Sequence, residues 1–263
     1  MKQWLIGSDL DGTLLYANTD PSVRESIEAF NRALCERQGK HTLVYATGRH
    51  LEHAMKGVGE VGLIQSDFYI CDVGTSVYEH IDGKFVRDET YHGELMTSWE
   101  EHKKEELCAL LGNIPGLMIQ GRENQGEFKL SYYTSLQNGL SNIQRAIHER
   151  IADGFSFNIT YSINPSNDVG YLDILPKGIS KESALSFVAQ KVGIATERIV
   201  YAGDSGNDLS VCRTGVRFIA PQKVGRDVEE FLVSEEGKRY TTFRATKAYA
   251  FGVLEGLEHF GVL

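Results

Sequence analysis

A short apolar run, Trp4-Leu5-Ile6, leads straight into Ser8-Asp9-Leu10-Asp11-Gly12-Thr13-Leu14 and limits this chain to few architectures. A brief apolar segment bounded by a turn signal reads as a strand buried on both faces, as in a parallel sheet covered by helices. In such sheets ligands bind at the carboxyl ends of the strands, where Asp9 and Asp11 stand. Acids at i and i+2 on an extended segment point the same way. Two like charges drawn out of water need a cation or a shared proton. The pair therefore predicts a divalent metal or an acid–base role.

The rest of the chain supports a parallel sheet. Asp20 and Pro21 open a helix in which Val23, Ile27, Phe30 and Leu34 recur at helical spacing, and Gly39 follows it. His41–Ala46 is a second strand, Thr47-Gly48-Arg49 opens another helix, and Phe68–Asp72 is a third strand. This βαβαβ order implies right-handed crossovers. From Tyr78 to Glu94 the pattern reads as a hairpin around Asp82-Gly83, followed by a polar helix near Thr97–Leu111. Strands at 116–122, 127–135, 155–163 and 170–175, with a helix at 139–152, read as an antiparallel sheet with helices on one face. After Pro176 the α/β pattern returns: a helix capped by Ser180, strands Ile199–Gly203 and Val216–Ala220, and a last helix with Ala248, Phe251, Leu254, Leu257 and Phe260 as its core stripe. The expected fold is α/β, with a Rossmann-like parallel-sheet core at 1–79 and 171–263 and an inserted α/β domain containing an antiparallel sheet at 80–170.

Net charge narrows the partners. With 27 Lys+Arg against 36 Asp+Glu the chain carries −9, which disfavours nucleic acid and anionic membranes. No apolar run reaches membrane-spanning length. Cys35, Cys71, Cys108 and Cys212 form no CxxC pair and read as reduced thiols of a cytoplasmic protein. Gly57-Val58-Gly59-Glu60-Val61-Gly62 spells a dinucleotide fingerprint, but it follows a helix rather than a strand and is set aside. The charged run 100–106 reads as a solvated helix face, and His50 with His53 lacks a third metal ligand.

Asp9/Asp11, Thr47, Lys181 and Asp204/Asp208 occur in that order, three of the four after strand-like runs. Asp9-Leu10-Asp11-Gly12-Thr13, Ala46-Thr47-Gly48-Arg49, Lys181 and Gly203-Asp204-Ser205-Gly206-Asn207-Asp208 resemble the four motifs of the haloacid dehalogenase superfamily of aspartyl-phosphate phosphotransferases. The resemblance implies Asp9 as nucleophile, Asp11 as general acid and then base, and Lys181 as the charge that offsets Asp9 and phosphate. It implies Thr47 as a phosphate cradle, with Gly48, Arg49 and Asn207 on the substrate, and Mg2+ held by Asp9, the Asp11 backbone carbonyl and Asp204 with Asp208 beside it. A hard divalent ion suits that chemistry, which is mostly positioning and charge neutralisation. The inserted domain becomes a cap.

Further segments are similar to the sucrose-phosphate phosphatase family: Tyr45–Arg49, Val73-Gly74-Thr75, Lys129-Leu130-Ser131-Tyr132-Tyr133, Asp173-Ile174-Leu175-Pro176 and Gly252–Phe260. They imply hydrolysis of a small-molecule sugar phosphate, sucrose 6-phosphate first, by a monomer or weak dimer. Glu182 after the motif lysine, Gly12 and the segment 165–171 depart from the family pattern. Another disaccharide phosphate such as mannosylfructose phosphate, a phosphosugar mutase and a non-catalytic binding protein stay open beside it. Lys129, Tyr132, Asn167 and Asp173 are the expected readers of the sugar.

Overall fold

Two sheets organise the computed structural model, which describes residues 4–16, 21–37, 39–98, 101–135, 140–151, 155–164 and 169–263. The first elements are β1 (Trp4–Ser8), α1 (Pro21–Cys35), β2 (His41–Ala46), α2 (Leu51–Val61), β3 (Phe68–Cys71), β4 (Ser76–Ile81) and β5 (Lys84–Arg87). There follow α3 (Glu89–Ser98), α4 (Glu101–Leu111), β6 (Leu117–Ile119), β7 (Leu130–Ser135), α5 (Leu140–Arg150), β8 (Phe157–Asn164) and β9 (Val169–Pro176). The chain closes with α6 (Lys181–Val192), β10 (Ile199–Ala202), α7 (Leu209–Cys212), β11 (Arg217–Ala220), α8 (Arg226–Val233), β12 (Thr242–Arg244) and α9 (Tyr249–His259).

The larger sheet runs β12-β11-β10-β1-β2-β3-β4-β5, parallel from β12 to β3, with β4 and β5 antiparallel at one edge. β1 sits between β10 and β2, so the strand order reverses on either side of it and its carboxyl end is the switch point where ligands bind. Helices cover both faces. Leu5, Val44 and Ile70 pack with Ala184, Leu185 and Val188 of α6 on one side. Ile6, Tyr45 and Tyr69 pack with Ile27, Phe30, Val253 and Leu257 of α1 and α9 on the other. Burying a side chain such as Phe30 contributes about 1.5–3 kcal/mol.

The smaller sheet is antiparallel, β6-β7-β9-β8. Its pairing moves both expected boundaries. The hairpin at Asp82-Gly83 extends the larger sheet, because β4 pairs with β3, so that sheet continues past residue 80 to Arg87. Strand β9 pairs along its whole length in the smaller sheet, so the chain returns at Pro176 rather than 171. The described residues hold helix α3 at Glu89–Ser98 and then α4 at Glu101–Leu111, where the polar helix is expected near 97–111. Asp88 caps the first, its carboxylate accepting from Thr90 N at 3.1 Å and Tyr91 N at 3.0 Å.

The α1 stripe Val23, Ile27, Phe30 and Leu34 is buried as expected, whereas Asp20 lies outside the described residues. Ser180 caps α6, and Gly62, the last residue of the set-aside glycine fingerprint, ends α2 in the left-handed region at φ 70°. Of the expected α9 stripe, Leu257 is buried and Ala248, Leu254 and Phe260 pack half-buried against the core, while the most buried face adds Tyr249, Ala250, Gly252, Val253 and Gly256. Glycine decides this: a Cβ at Gly256 would fall on Ile219 at 2.5 Å, so the helix lies against β11 by its small residues. Among the described residues no helix is long and apolar enough to cross a membrane.

Candidate active site

Asp9 leaves the end of β1 and Asp204 the end of β10, while Lys181 is the first residue of α6. Lys181 is buried, and its Nζ lies 3.0 Å from Asp9 Oδ1 and 2.9 Å from Asp208 Oδ1. Asp9 Oδ1 also accepts from Leu10 N at 2.7 Å. Thr13 Oγ1 donates to Asp204 Oδ1 at 2.9 Å. Gly12 turns with φ +81°, and any side chain there would run into the Asp204 carboxylate, so this turn needs glycine twice over.

Asp208 is wholly buried and saturated with donors. Its Oδ1 takes Lys181 and the Tyr201 hydroxyl at 2.7 Å, and its Oδ2 takes Asp204 N and Ser205 N, each at 3.2 Å, and Ser205 Oγ at 3.3 Å. A carboxylate offers about four lone-pair positions. Asp208 thus shapes the 204–208 loop and holds Lys181.

Ligand atoms of Asp9, Asp204 and Asp208 lie within 4.8 Å of one another. Three carboxylates facing one lysine leave two negative charges in a buried place. Burial, then Asp208, pushes the Asp204 carboxyl up to about 7. Burial raises Asp9 well above the carboxylate range, against the pull of Lys181. Burial alone would lower Lys181, but Asp208 and Asp9 outweigh it and hold the ammonium charged. A charge deficit among oxygen donors fits a hard divalent cation.

The phosphate-side loop follows β2. Thr47 is buried, its Oγ1 accepting from Arg49 N at 3.1 Å. Arg49 lines the cavity and there grips Asp11, with Nε 2.7 Å from Oδ2 and Nη2 2.5 Å from Oδ1. The loop after β3 braces this segment. Asp72 N donates to Arg49 O at 2.9 Å and Val73 N to Thr47 O at 3.0 Å. Asp72 and Val73 hold left-handed φ values of 51° and 59°, a costly conformation for a β-branched residue and one concentrated at functional sites.

These residues floor a cavity of about 490 Å³ whose opposite wall comes from the smaller sheet and the 120–131 segment. That size is within the usual range of small-molecule sites. Asp9, Asp11, Gly48, Arg49, Lys181, Asp204 and Asn207 line it, and Lys129 and Asp173 face them. Lys129 Nζ donates to Gly48 O at 2.9 Å and pairs with Asp72 Oδ1 at 3.2 Å. Ser131 Oγ donates to Asp173 Oδ1 at 2.5 Å, and burial raises the Asp173 carboxyl.

Tyr132 is a correction. It is 2% exposed, packed among Leu130, Leu172 and Ile174, and absent from the cavity wall. Side chains on a strand alternate, so Lys129 and Ser131 share the cavity face and Tyr132 takes the other. Asn167 lies outside the described residues. Ser131 and Asp72 line the cavity and were not named as site residues from sequence, and so do His50 and His53, read there only as a pair without a third metal ligand, their ring centroids 4.0 Å apart and the rings tilted by 53°. Parity from Lys129 would have found Ser131; no pattern in the sequence marks Asp72.

Residues 2–261 match the family model of sucrose-6F-phosphate phosphohydrolase. A protein of Nitrosococcus oceani described as a HAD-like hydrolase is 32% identical over 97% of this chain and 71% of its own length. The mannosylfructose-phosphate phosphatase of Agrobacterium fabrum is 28% identical over 98% of this chain and 97% of its own. The sucrose-phosphatase of Synechocystis, solved with sucrose and phosphate, superposes with a TM-score of 0.85 at 24% identity over 99% of both chains, a likeness of fold. The chain belongs to the sucrose-6F-phosphate phosphohydrolase family and with it to the phosphoric monoester hydrolases.

Proposed function

We propose that this family member is a Mg2+-dependent, cytoplasmic phosphatase acting on a sugar monophosphate of disaccharide size, with sucrose 6-phosphate as first choice and mannosylfructose phosphate as second. The observation that carries the reading is the facing of two unlike walls across one cavity. One wall is the buried Asp9–Lys181–Asp208 and Asp204 cluster; the other is the polar face of the smaller sheet. The first suits a phosphate, the second a set of sugar hydroxyls. The second choice follows from the Agrobacterium relative. In this reading the smaller sheet with α3–α5 is a cap domain on the core.

Asp9, Asp204 and the Asp11 backbone carbonyl would hold the ion, and Asp208 would fix the loop that presents Asp204. When bound, the ion neutralises charge on the carboxylates and phosphate and orients the ester. Asp9 Oδ1 is occupied by Leu10 N and Lys181, so Oδ2 is the oxygen free of these bonds. In-line attack by Asp9 on phosphorus forms an aspartyl-phosphate while the sugar oxygen leaves with a proton from Asp11. Asp11 then takes a proton from water as it attacks phosphorus, and Asp9 and inorganic phosphate are released. Lys181 balances the charge at Asp9 throughout. Gly48 and Arg49, backed by Thr47, face the phosphate from the end of β2, and Asn207 faces it from the 204–208 loop.

Phosphate release tests this directly. The enzyme is incubated with Mg2+, with and without chelator, on sucrose 6-phosphate, mannosylfructose phosphate, other disaccharide phosphates and hexose phosphates. Chelator-sensitive release confined to a disaccharide phosphate is the expected result. Interconversion of phosphosugar isomers with little net phosphate, dependent on a bisphosphate activator, would make the chain a mutase.

A further inference from the structure

Asp72 is a buried carboxylate in the cavity wall that the hydrolytic steps leave unused. It stands on the core, just past β3, while its partner Lys129 stands just before β7 on the opposite wall. The pair is nearly out of water, with side chains 11% and 5% exposed. Lys129 spends a second donor on Gly48 O, in the loop that also carries Thr47 and Arg49. One ammonium thus ties the sugar-side wall to the phosphate-side loop at two points.

The surroundings are built for this contact. Asp72 adopts a left-handed backbone at φ 51°, and the loop is pinned in that form by Arg49 O, Thr47 O and the Tyr91 hydroxyl, which donates to Gly74 O at 2.7 Å. Gly126 leaves room for the approach: a Cβ there would stand 3.2 Å from both Asp72 Oδ1 and Lys129 Cβ. An ammonium has three donors, and Asp72 Oδ1 and Gly48 O take two of them. Asp173, which faces the same cavity, feels the Lys129 charge. If the walls part, Lys129 keeps Asp173 on its own sheet, whereas Asp72 loses its counter-charge.

We propose that Asp72 is a positioning residue for specificity: it latches Lys129 across the cavity, so that a sugar able to use the third Lys129 donor is held against the phosphate-side loop. The inference rests on the sugar-phosphatase reading for its consequence in turnover, but the latch itself is measurable without turnover.

Asp72→Asn is the variant to make, because asparagine tolerates the left-handed backbone and keeps the size while losing the charge. Hydrogen exchange of the whole protein is followed by mass spectrometry. Uptake in segments 44–53 and 68–78 is expected to quicken about tenfold, as contacting pairs couple by that order, with 157–163 unchanged. Lys129→Met is expected to do the same, and the double variant no more than either. Unchanged uptake in 44–53, or quickening that spreads to 157–163, would overturn the latch and leave Asp72 as ordinary loop structure. On a sugar phosphate that the wild type hydrolyses, KM is expected to rise about tenfold in Asp72→Asn with kcat held within about threefold; an equal fall in kcat would overturn the specificity role. A wild type that releases phosphate from no ester would sink the phosphatase reading, and the exchange result would still decide the latch.

Discussion

Arg49 clamps Asp11 by both carboxylate oxygens, at 2.7 and 2.5 Å, across the mouth of the cavity. The side chains are 35% and 50% exposed, so the pair contributes little to stability. Under the proposed mechanism its value is geometric: a planar fork fixes the plane of the carboxylate proposed to exchange protons with the leaving oxygen and with water. Lysine cannot reproduce the fork. Arg49→Lys is expected to lower kcat about tenfold while KM moves by less than about threefold. Steady-state kinetics on the preferred sugar phosphate checks it, and a rise in KM at constant kcat would return Arg49 to direct substrate contact.

Asp9→Asn is expected to remove turnover by about a thousandfold or more, since the attacking oxygen and the covalent intermediate go together. The same change relieves a buried cluster with excess negative charge. The metal-free variant should therefore melt no lower than the metal-free wild type. Calorimetry beside an activity assay measures both, and full activity in a folded Asp9→Asn protein would end the aspartyl-phosphate mechanism.

The acid cluster also sets a pH dependence. Asp204 has an ordinary value of 3.8 and is pushed up to about 7 in the folded chain. Between these values the folded chain holds a proton that the unfolded chain has lost, so metal-free stability falls as pH rises from about 4 to about 7. Asp9 acts in the same direction. A divalent ion competes with that proton, so the rise in Tm on adding Mg2+ should grow with pH across the same window and then level off. Melting curves with Mg2+ and with chelator test the sign; an increment that stays flat with pH would mean that no acid titrates with the ion.

Gly12 is the tightest point of the first motif. At φ +81° and against the Asp204 carboxylate, alanine meets both backbone strain and a clash. Gly12→Ala should cost about 1–3 kcal/mol in chain stability and weaken Mg2+ binding together. Denaturant midpoints with and without Mg2+ separate the two losses; a loss of stability with unchanged Mg2+ affinity would detach this turn from the ion site.

Much of the floor of the site was legible in the sequence because it is local. Asp9, Asp11, Asp204 and Lys181 each stand at the end of a strand or the start of a helix that hydrophobic spacing marks. The opposite wall was less legible because it is made by pairing at a distance. Asp72 gains meaning only when β7 brings Lys129 over it, 57 positions later in the chain by number. The hairpin β4–β5 reads the same whether it joins one sheet or the other, and only the partner strand β3 decides. Asp208 is placed beside the ion by its motif, and only the structure shows the donors that surround its carboxylate.

Strand parity gives the last prediction. Ser131 lies opposite Asp173 in the β7–β9 register, and both face the cavity, while Tyr132 lies opposite Leu172 and faces the core. The Tyr132 hydroxyl is buried with only the Cys108 thiol, a weak partner, beside it, so removing it costs little. Tyr132→Phe should leave KM for the sugar phosphate unchanged and stability little changed. Ser131→Ala instead takes away the donor that orients Asp173, and KM should rise about threefold to tenfold with kcat little changed. A KM effect in Tyr132→Phe and none in Ser131→Ala would mean that the sheet presents its other face to the substrate, and the assignment of the cavity wall would have to be reversed.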